Sequence, residues 1–121
     1  MDRELLKGST SILLLSLLSE EPMYGYQIIQ AVLERSKGTY LLKDAAVYPA
    51  LRKLEAAGFV RSAWKQGEGG RDRCYYEILP AGLELLDEKK AEWLEFVGLM
   101  EGIVSFGPRA RPAGTGAKKG R

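Results

Sequence analysis

The side chains of this sequence that could do chemistry are mainly its cations, because the usual catalytic groups are few. The 121 residues contain no histidine and a single cysteine, Cys74. A chain without histidine has no Ser-His-Asp or Cys-His site and no histidine-ligated zinc, and one cysteine forms neither an internal disulfide nor a multi-cysteine metal site. Residues 67–70 read as a turn rather than a phosphate-binding loop, since no Lys-Ser pair or helix follows them. The sequence therefore predicts a protein that is not an enzyme and needs no cofactor.

The cations are concentrated in two stretches of the chain. Overall, 18 Lys and Arg nearly balance 16 Asp and Glu, for a net charge of +2. Residues 37–73, however, hold eight cations against four acids, and residues 107–121 hold five cations and no acid. Residues 1–36 and 74–106 are acidic, at −2 and −5. Such a concentration of positive charge indicates a surface that binds a polyanion, although surface charge also clusters without a function.

Hydrophobic periodicity predicts three short helices, a hairpin and one long helix. The helices are expected at residues 9–18, 25–36, 45–57 and 80–104, and the strands at residues 59–65 and 73–79. Asp44 is expected to cap the third helix, and residues 39–42 could form a short extended piece. This order, mainly α with a small β-hairpin, is that of a winged helix-turn-helix. In that fold the second helix of the motif enters the major groove of DNA, and the hairpin is the wing.

The winged-helix interpretation assigns DNA contacts to two groups of side chains. The candidates for the groove-facing side of the third helix are Tyr48, Arg52 and Lys53. The candidates for phosphate contacts on the wing are Lys65, Arg71 and Arg73. Cations on a wing give affinity without reading sequence. The alternatives are that Tyr48 packs in the core and that the cations are merely solvated.

Alternation along the two strands divides the hairpin into a cationic face and an apolar face. The cationic face is expected to carry Arg61, Ala63, Lys65, Arg73, Tyr75 and Glu77. The apolar face is expected to carry Val60, Ser62, Trp64, Cys74, Tyr76 and Ile78. Cys74 is therefore expected to be a buried structural thiol rather than a redox sensor. Of the paired tyrosines, Tyr76 rather than Tyr75 is expected to be buried.

The long helix at residues 80–104 is apolar nearly all round in its last three turns. A chain this short does not bury such a surface alone, so a helix from a second copy is expected to cover it. Trp93, Phe96 and Met100 could line a flat aromatic pocket at this seam, suited to a planar hydrophobic ligand. The alternative, that these three are ordinary core residues of the dimer, is the simpler one.

Four segments of the chain resemble the PadR family of bacterial transcriptional regulators. They are Lys-Gly-Ser-Thr at residues 7–10, Pro-Met-Tyr-Gly-Tyr-Gln-Ile at 22–28, Val-Tyr-Pro-Ala-Leu-Arg-Lys-Leu-Glu at 47–55 and Gly-Arg-Asp-Arg-Cys-Tyr-Tyr at 70–76. The resemblance covers about residues 4–104. It implies a homodimeric winged-helix protein that binds a roughly palindromic operator in double-stranded DNA, usually as a repressor. It also implies a dimer contact in the C-terminal helix and, as in some members, release from DNA by a small molecule.

The chain departs from the family at the start of the third helix. Members commonly carry glycine or asparagine followed by serine or threonine there, whereas this chain has Ala45 and Ala46. A hydroxyl group that could bind a phosphate or a base edge is therefore lacking, which leaves the operator specificity open. The alternative function is a protein-binding winged-helix adaptor that has lost sequence-specific readout of DNA.

We expect three regions along the chain. They are a winged helix-turn-helix DNA-binding domain at residues 1–79, a dimerisation helix at residues 80–106 and a disordered basic tail at residues 107–121. The tail either adds affinity for phosphates or is a solubilising extension. The longest apolar run, residues 12–15, is far below the ~20 residues of a membrane span, and the N-terminus lacks the basic region of a signal peptide. A cytoplasmic regulator without a membrane contact is therefore expected.

Overall fold

The computed structural model describes residues 8–109, except for the side chain of Glu68. Its helices and strands are α1 (Thr10–Leu18), β1 (Met23–Tyr24), α2 (Gly25–Arg35), α3 (Asp44–Ala56), β2 (Val60–Gln66), β3 (Asp72–Ile78) and α4 (Pro80–Ile103). A 3-10 turn, Glu68–Gly70, connects β2 to β3. Lys7 of the first family-like segment and residues 110–121 of the predicted tail lie outside the described residues.

The core is formed by α1, α2 and α3 together with side chains of the sheet and of the first turns of α4. α1 is apolar on nearly every side, and it is central to this core. Its fully or almost fully buried side chains are Leu14, Leu15, Leu17 and Leu18. α2 and α3 are amphipathic instead, and each buries one stripe with helical spacing. These stripes consist of Ile28, Ile29 and Val32 in α2 and of Val47, Leu51 and Leu54 in α3.

The sheet has three antiparallel strands in the order β1-β3-β2, rather than the two strands that were predicted. β1 is only two residues long, and it pairs Met23 with Tyr76 and Tyr24 with Tyr75. A strand of two residues shows no alternation, so the sequence carried no signal for it. β2 and β3 pair from Val60↔Ile78 to Gln66↔Asp72. Residues directly opposite each other share a face, so this register confirms the two predicted faces of the hairpin.

The start of α3 differs from the expectation in one residue. The prediction that Asp44 is the N-cap is wrong, because Asp44 is the first helical residue and the extended Lys43 takes the cap position. The Lys43 carbonyl accepts the Val47 N–H at 3.0 Å, which begins the helix. Asp44 remains favourable there, since a carboxylate in the first turn complements the helix dipole. The described residues 39–42 form no strand, although Leu42 is buried in the core.

The first turn of α4 approaches the beginning of β2 very closely. The Leu79 N–H donates a hydrogen bond to the Phe59 carbonyl at 2.9 Å. Gly82 lies against the same carbonyl, and a Cβ added there would clash with the Phe59 oxygen and lie 2.7 Å from Ile78 Cγ1. This contact positions α4 so that Leu86 is buried in the core.

The chain consists of two compact units, one ending at Lys90 and the other beginning at Ala91. The division falls inside α4, so the first eleven residues of that helix (Pro80 to Lys90) belong to the same unit as the winged helix. The predicted functional division between residues 79 and 80 stays a prediction. None of the helices within residues 8–109 combines the length and the apolar character needed to cross a bilayer.

Candidate nucleic-acid interface

The exposed side of α3 offers few hydrogen-bonding groups. At about 3.6 residues per turn, the residues most nearly opposite the buried stripe of α3 form a strip, and the exposed Lys53 lies along its edge. This strip consists of Ala45, Pro49, Arg52 and Ala56. Arg52 alone among these four has side-chain donors. It is therefore the residue of the strip that could hydrogen-bond a base edge in the major groove.

Tyr48 packs against the start of α2. Its side chain is half-buried, and Gly25 beneath it is buried. A Cβ added to Gly25 would lie 2.5 Å from Tyr48 Cζ and 2.6 Å from Tyr48 Cε1. The tyrosine ring therefore fills the space that any larger residue at position 25 would need, which locks α3 against α2. That Tyr48 also faces the groove stays a prediction.

Arg52 and Lys53 lie on different flanks of α3. Arg52 is exposed on the flank of α3 that also carries Glu55, three residues later, whose carboxylate binds Ser62 of β2, so this flank faces the wing. Lys53 instead lines an open cavity of about 450 Å³, together with Lys89 of α4 and the start of α1. The structure therefore separates these two predicted groove contacts.

Glu55 connects the end of α3 to the start of the wing. Its Oε2 accepts a hydrogen bond from the Ser62 N–H at 3.1 Å and another from the Ser62 hydroxyl at 2.7 Å. Because Ser62 belongs to β2, this carboxylate holds the helix and the wing in one arrangement. Sequence reasoning did not single out Glu55. The sequence did contain a signal for this contact, because Ser62 lies on the predicted apolar face of the hairpin. A half-buried hydroxyl on such a face needs a polar partner.

The wing cations differ in their surroundings. Lys65 Nζ lies 5.2 Å from the centre of the Tyr75 ring, and Arg73 Cζ lies 4.5 Å from the centre of the Tyr24 ring. Arg71 is exposed just before β3. The structure thus brings Lys65 and Arg73 together on one face, with a tyrosine beneath each. Tyr24 was missed by sequence reasoning, because it lies in the unpredicted strand β1.

Two further exposed side chains lie close to the predicted interface. Lys43 is exposed at the N-cap of α3, where free N–H groups and the helix dipole favour a phosphate. The sequence contained a signal for Lys43, because this lysine directly precedes the predicted cap of the third helix. Trp64 is 74% exposed although it shares the apolar face. It pairs with Cys74 towards the turn, whereas Val60 at the other end of β2 reaches the core.

Tyr76 is the buried tyrosine of the wing, as predicted, and Cys74 beside it is half-buried against the core. Burial raises the pKa of the Tyr76 hydroxyl to about 12, and Cys74 and Glu55 add to the increase. The hydroxyl therefore stays neutral at physiological pH, which suits a group enclosed between α3 and the sheet.

Between pH 10 and about 12, we expect the free energy of unfolding of the wild type to fall more than that of Tyr76→Phe, because the variant has no hydroxyl to titrate. The pKa of this hydroxyl is raised in the folded chain, so the folded state holds the proton more tightly than the unfolded state. Its stabilising contribution is complete below the unfolded pKa and is lost as the pH rises through the folded one. Urea unfolding from neutral pH upwards measures this difference. Identical pH profiles for the two proteins would show that the hydroxyl is not buried in this way.

The aromatic residues predicted as a ligand site are neighbours on α4. The ring centres of Trp93 and Phe96 are 5.9 Å apart, and the two planes are inclined by 35°. Met100, one turn further on, is half-buried. Trp93 and Phe96 are each 50% exposed. Trp93 and Phe96 therefore form one exposed aromatic surface, and Met100 follows Phe96 by one helical turn.

A helix-turn-helix with an attached wing, both carrying exposed cations, defines the chain as a winged-helix protein of the nucleic-acid-binding class. The model of the transcriptional regulator PadR-like family matches residues 14–88, which is more than half of the chain. The chain belongs to the PadR-like family of transcriptional regulators. This family is one of DNA-binding regulators and not a class of enzymes.

Solved structures and a curated relative agree with this assignment. A transcriptional regulator from Clostridium thermocellum is 29% identical with a TM-score of 0.77, over 84% of this chain and 99% of that one. A PadR family transcription regulator from hypervirulent Clostridium difficile R20291 is 32% identical with a TM-score of 0.67, over 78% of this chain and 97% of that one. Transcriptional regulator YqjI of Escherichia coli K12 is 26% identical over 88 residues, which cover 73% of this chain but 37% of that protein.

Proposed function

We propose that the chain is a cytoplasmic homodimeric repressor that binds a roughly palindromic operator in double-stranded DNA. The observation that carries this proposal is the pair of cations Lys65 and Arg73 on one face of the wing, which Glu55 ties to α3 and its exposed Arg52. α3 would lie in the major groove, and the wing would lie along the phosphate backbone.

Dimerisation is supported by the exposed apolar side chains of α4. Leu94 is 69% exposed, Leu99 is 59% exposed and Ile103 is 73% exposed, next to the half-exposed Trp93 and Phe96. Apolar surface this continuous usually marks a site of protein association. The same helix of a second copy has the same apolar surface, and two such helices would cover each other in a symmetric pair. A dimer would also place two recognition helices on two half-sites of one operator.

A small aromatic effector fits the aromatic surface of Trp93 and Phe96, together with Met100. Two inclined rings and a thioether suit a planar hydrophobic compound held between the paired helices. Such a compound would release DNA by changing how the two α4 helices pack, and so the spacing of the two α3 helices. The alternative remains that these three side chains only form the dimer core.

Protection mapping on the DNA upstream of the chain's own coding region tests the proposal. We expect a protected site with two half-sites about one helical turn, or a multiple of it, apart, and a dimer by sedimentation equilibrium. Repeating the mapping with planar aromatic compounds tests the effector. A chain that binds this DNA no better than a random duplex, or that stays monomeric when bound, would contradict the proposal.

A second candidate function, the protein-binding adaptor, is favoured by the composition of the exposed strip of α3. Ala45, Pro49 and Ala56 present no side-chain donor or acceptor to a base. If the chain is an adaptor, we expect no protection of the upstream DNA at physiological salt. We also expect a protein partner that binds the chain in a stoichiometric ratio. A sequence-specific footprint would exclude it.

A further inference from the structure

The cationic face of the wing places two like charges directly opposite each other. Lys65 of β2 and Arg73 of β3 are cross-strand partners. Like charges in this arrangement destabilise a sheet. The neighbouring cation of the face, Arg61, is paired with Glu77, but no described side chain gives Lys65 or Arg73 a carboxylate partner. Among the described side chains, these two cations therefore lie side by side without a carboxylate partner.

Aromatic rings take the place of carboxylates in this pair. The ring centres of Tyr24 and Tyr75 are 5.2 Å apart in an edge-to-face contact of 81°, and the two residues are cross-strand partners. Arg73 is therefore a diagonal neighbour of Tyr24, and Lys65 is a diagonal neighbour of Tyr75, which is the geometry that long side chains need to reach a ring across strands. Each cation lies over one ring face, where the quadrupole attracts it.

The Arg73 side chain is confined as well as stacked. A Cβ added to Gly67 would lie 3.2 Å from both Arg73 Cδ and the Tyr75 hydroxyl, so the turn closes over the stem of the arginine. Among the described atoms, Arg73 Nε is buried without a hydrogen-bond partner, and it is the single guanidinium nitrogen in that condition. The two terminal nitrogens are thereby left to donate to an anion from outside, in the fork geometry that suits a phosphate.

We propose that Tyr24 and Tyr75 are positioning residues that hold Arg73 and Lys65 as one preformed binding site for a phosphate of the DNA backbone. The inference rests on the proposed function and specifies how the wing performs it. Long side chains that are ordered before binding lose less conformational entropy when the phosphate arrives. The site is also tied to the helix-turn-helix, because the Tyr24 N–H donates to Gln27 Oε1 of α2 at 3.1 Å.

Tyr24→Leu and Tyr24→Phe test the role of the ring on a labelled random duplex about three helical turns long, at two salt concentrations. Tyr24→Leu is expected to weaken binding about two- to fivefold, and to reduce the slope of log K against log salt by up to about one phosphate contact. Tyr24→Phe keeps the ring face and is expected to bind as the wild type does. A purely structural role for Tyr24 would leave the salt slope unchanged.

Double-mutant cycles supply the matched control. Tyr24→Leu is expected to cause no further loss once Arg73→Gln is present, because the ring acts through that arginine. Arg71 contacts no ring among the described residues, so the losses of Tyr24→Leu and Arg71→Gln are expected to multiply. Should Tyr24→Leu fold poorly, Tyr75→Leu with Lys65→Gln forms an equivalent cycle. If the fold-losses in duplex affinity of the two single variants multiplied in both ring–cation cycles, the proposal would be overturned.

The Arg73 Nε–H reports the same positioning without DNA. By ¹⁵N NMR it is expected to exchange slowly with water in the wild type and in Tyr24→Phe, and rapidly in Tyr24→Leu. A wild type that binds no duplex would refute the DNA-binding function, and with it the phosphate site. A wild type that binds duplex but shows rapid Nε–H exchange would refute the positioning alone.

Discussion

Gly82→Ala is expected to lower the free energy of unfolding by about 1–3 kcal/mol, although alanine is the better helix former. The added Cβ would clash with the Phe59 carbonyl oxygen and lie 3.1 Å from the Phe59 carbonyl carbon. A backbone carbonyl has no rotamer in which to move aside, so α4 or the start of β2 would have to shift. A loss of this size lowers the Tm of a small domain by about 4–8 °C per kcal/mol, which thermal unfolding measures directly.

Ala81→Ser is the matched control for Gly82→Ala. Ala81 is the preceding residue of α4 and is exposed, so one added heavy atom there meets solvent. We expect its Tm to stay close to that of the wild type, since exposed substitutions are usually nearly neutral. A Gly82→Ala variant as stable as this control would mean that α4 does not approach Phe59 closely. The burial of Leu86, which depends on this approach, would then need another explanation.

The sequence predicted the fold wherever a periodic pattern was long enough to be seen. Strands of seven residues alternate clearly, so the two faces of the hairpin and the burial of Tyr76 followed from the pattern alone. β1 did not follow, because its two residues form a strand only through the edge of β3. The cap of α3 was misplaced by one residue, because N-cap propensity favours Asp44 over Lys43, whereas the helix begins at Asp44 without a side-chain cap.

The candidate site was less accessible to sequence reasoning than the fold. The positive charge of residues 37–73 indicated only that cations are concentrated on α3 and the wing. Which way each cation points depends on neighbours that are distant in the chain. Arg73 lies over Tyr24, which is 49 positions earlier, and Lys53 lines a cavity with Lys89 of α4. Glu55 was overlooked for the same reason, since its partner Ser62 comes from another element.

Arg52→Ala is expected to weaken binding to the mapped operator by about 1–3 kcal/mol, while affinity for a random duplex changes little. Arg52 is the donor-bearing residue of the exposed strip of α3, so its loss should relax the preference for one base pair in each half-site. Arg71→Ala is the contrasting variant on the wing. It is expected to weaken operator and random duplex alike and to reduce the salt slope by about one. Fluorescence anisotropy with single-base operator variants at two salt concentrations measures both effects.

The two outcomes separate reading of sequence from binding of phosphate. If Arg52→Ala weakened both duplexes equally, Arg52 would be a backbone contact, and α3 would read no base through it. Ala45, Pro49 and Ala56 supply no donor to replace it, so any remaining preference would come from Lys53 or Tyr48 on the flanks of α3, or from the shape and deformability of the operator. If Arg71→Ala left both affinity and salt slope unchanged, the wing would not lie on the backbone as proposed. A specific footprint with unchanged behaviour of both variants would leave Lys43, Tyr48 and Lys53 as the side chains at this helix that could contact a base edge.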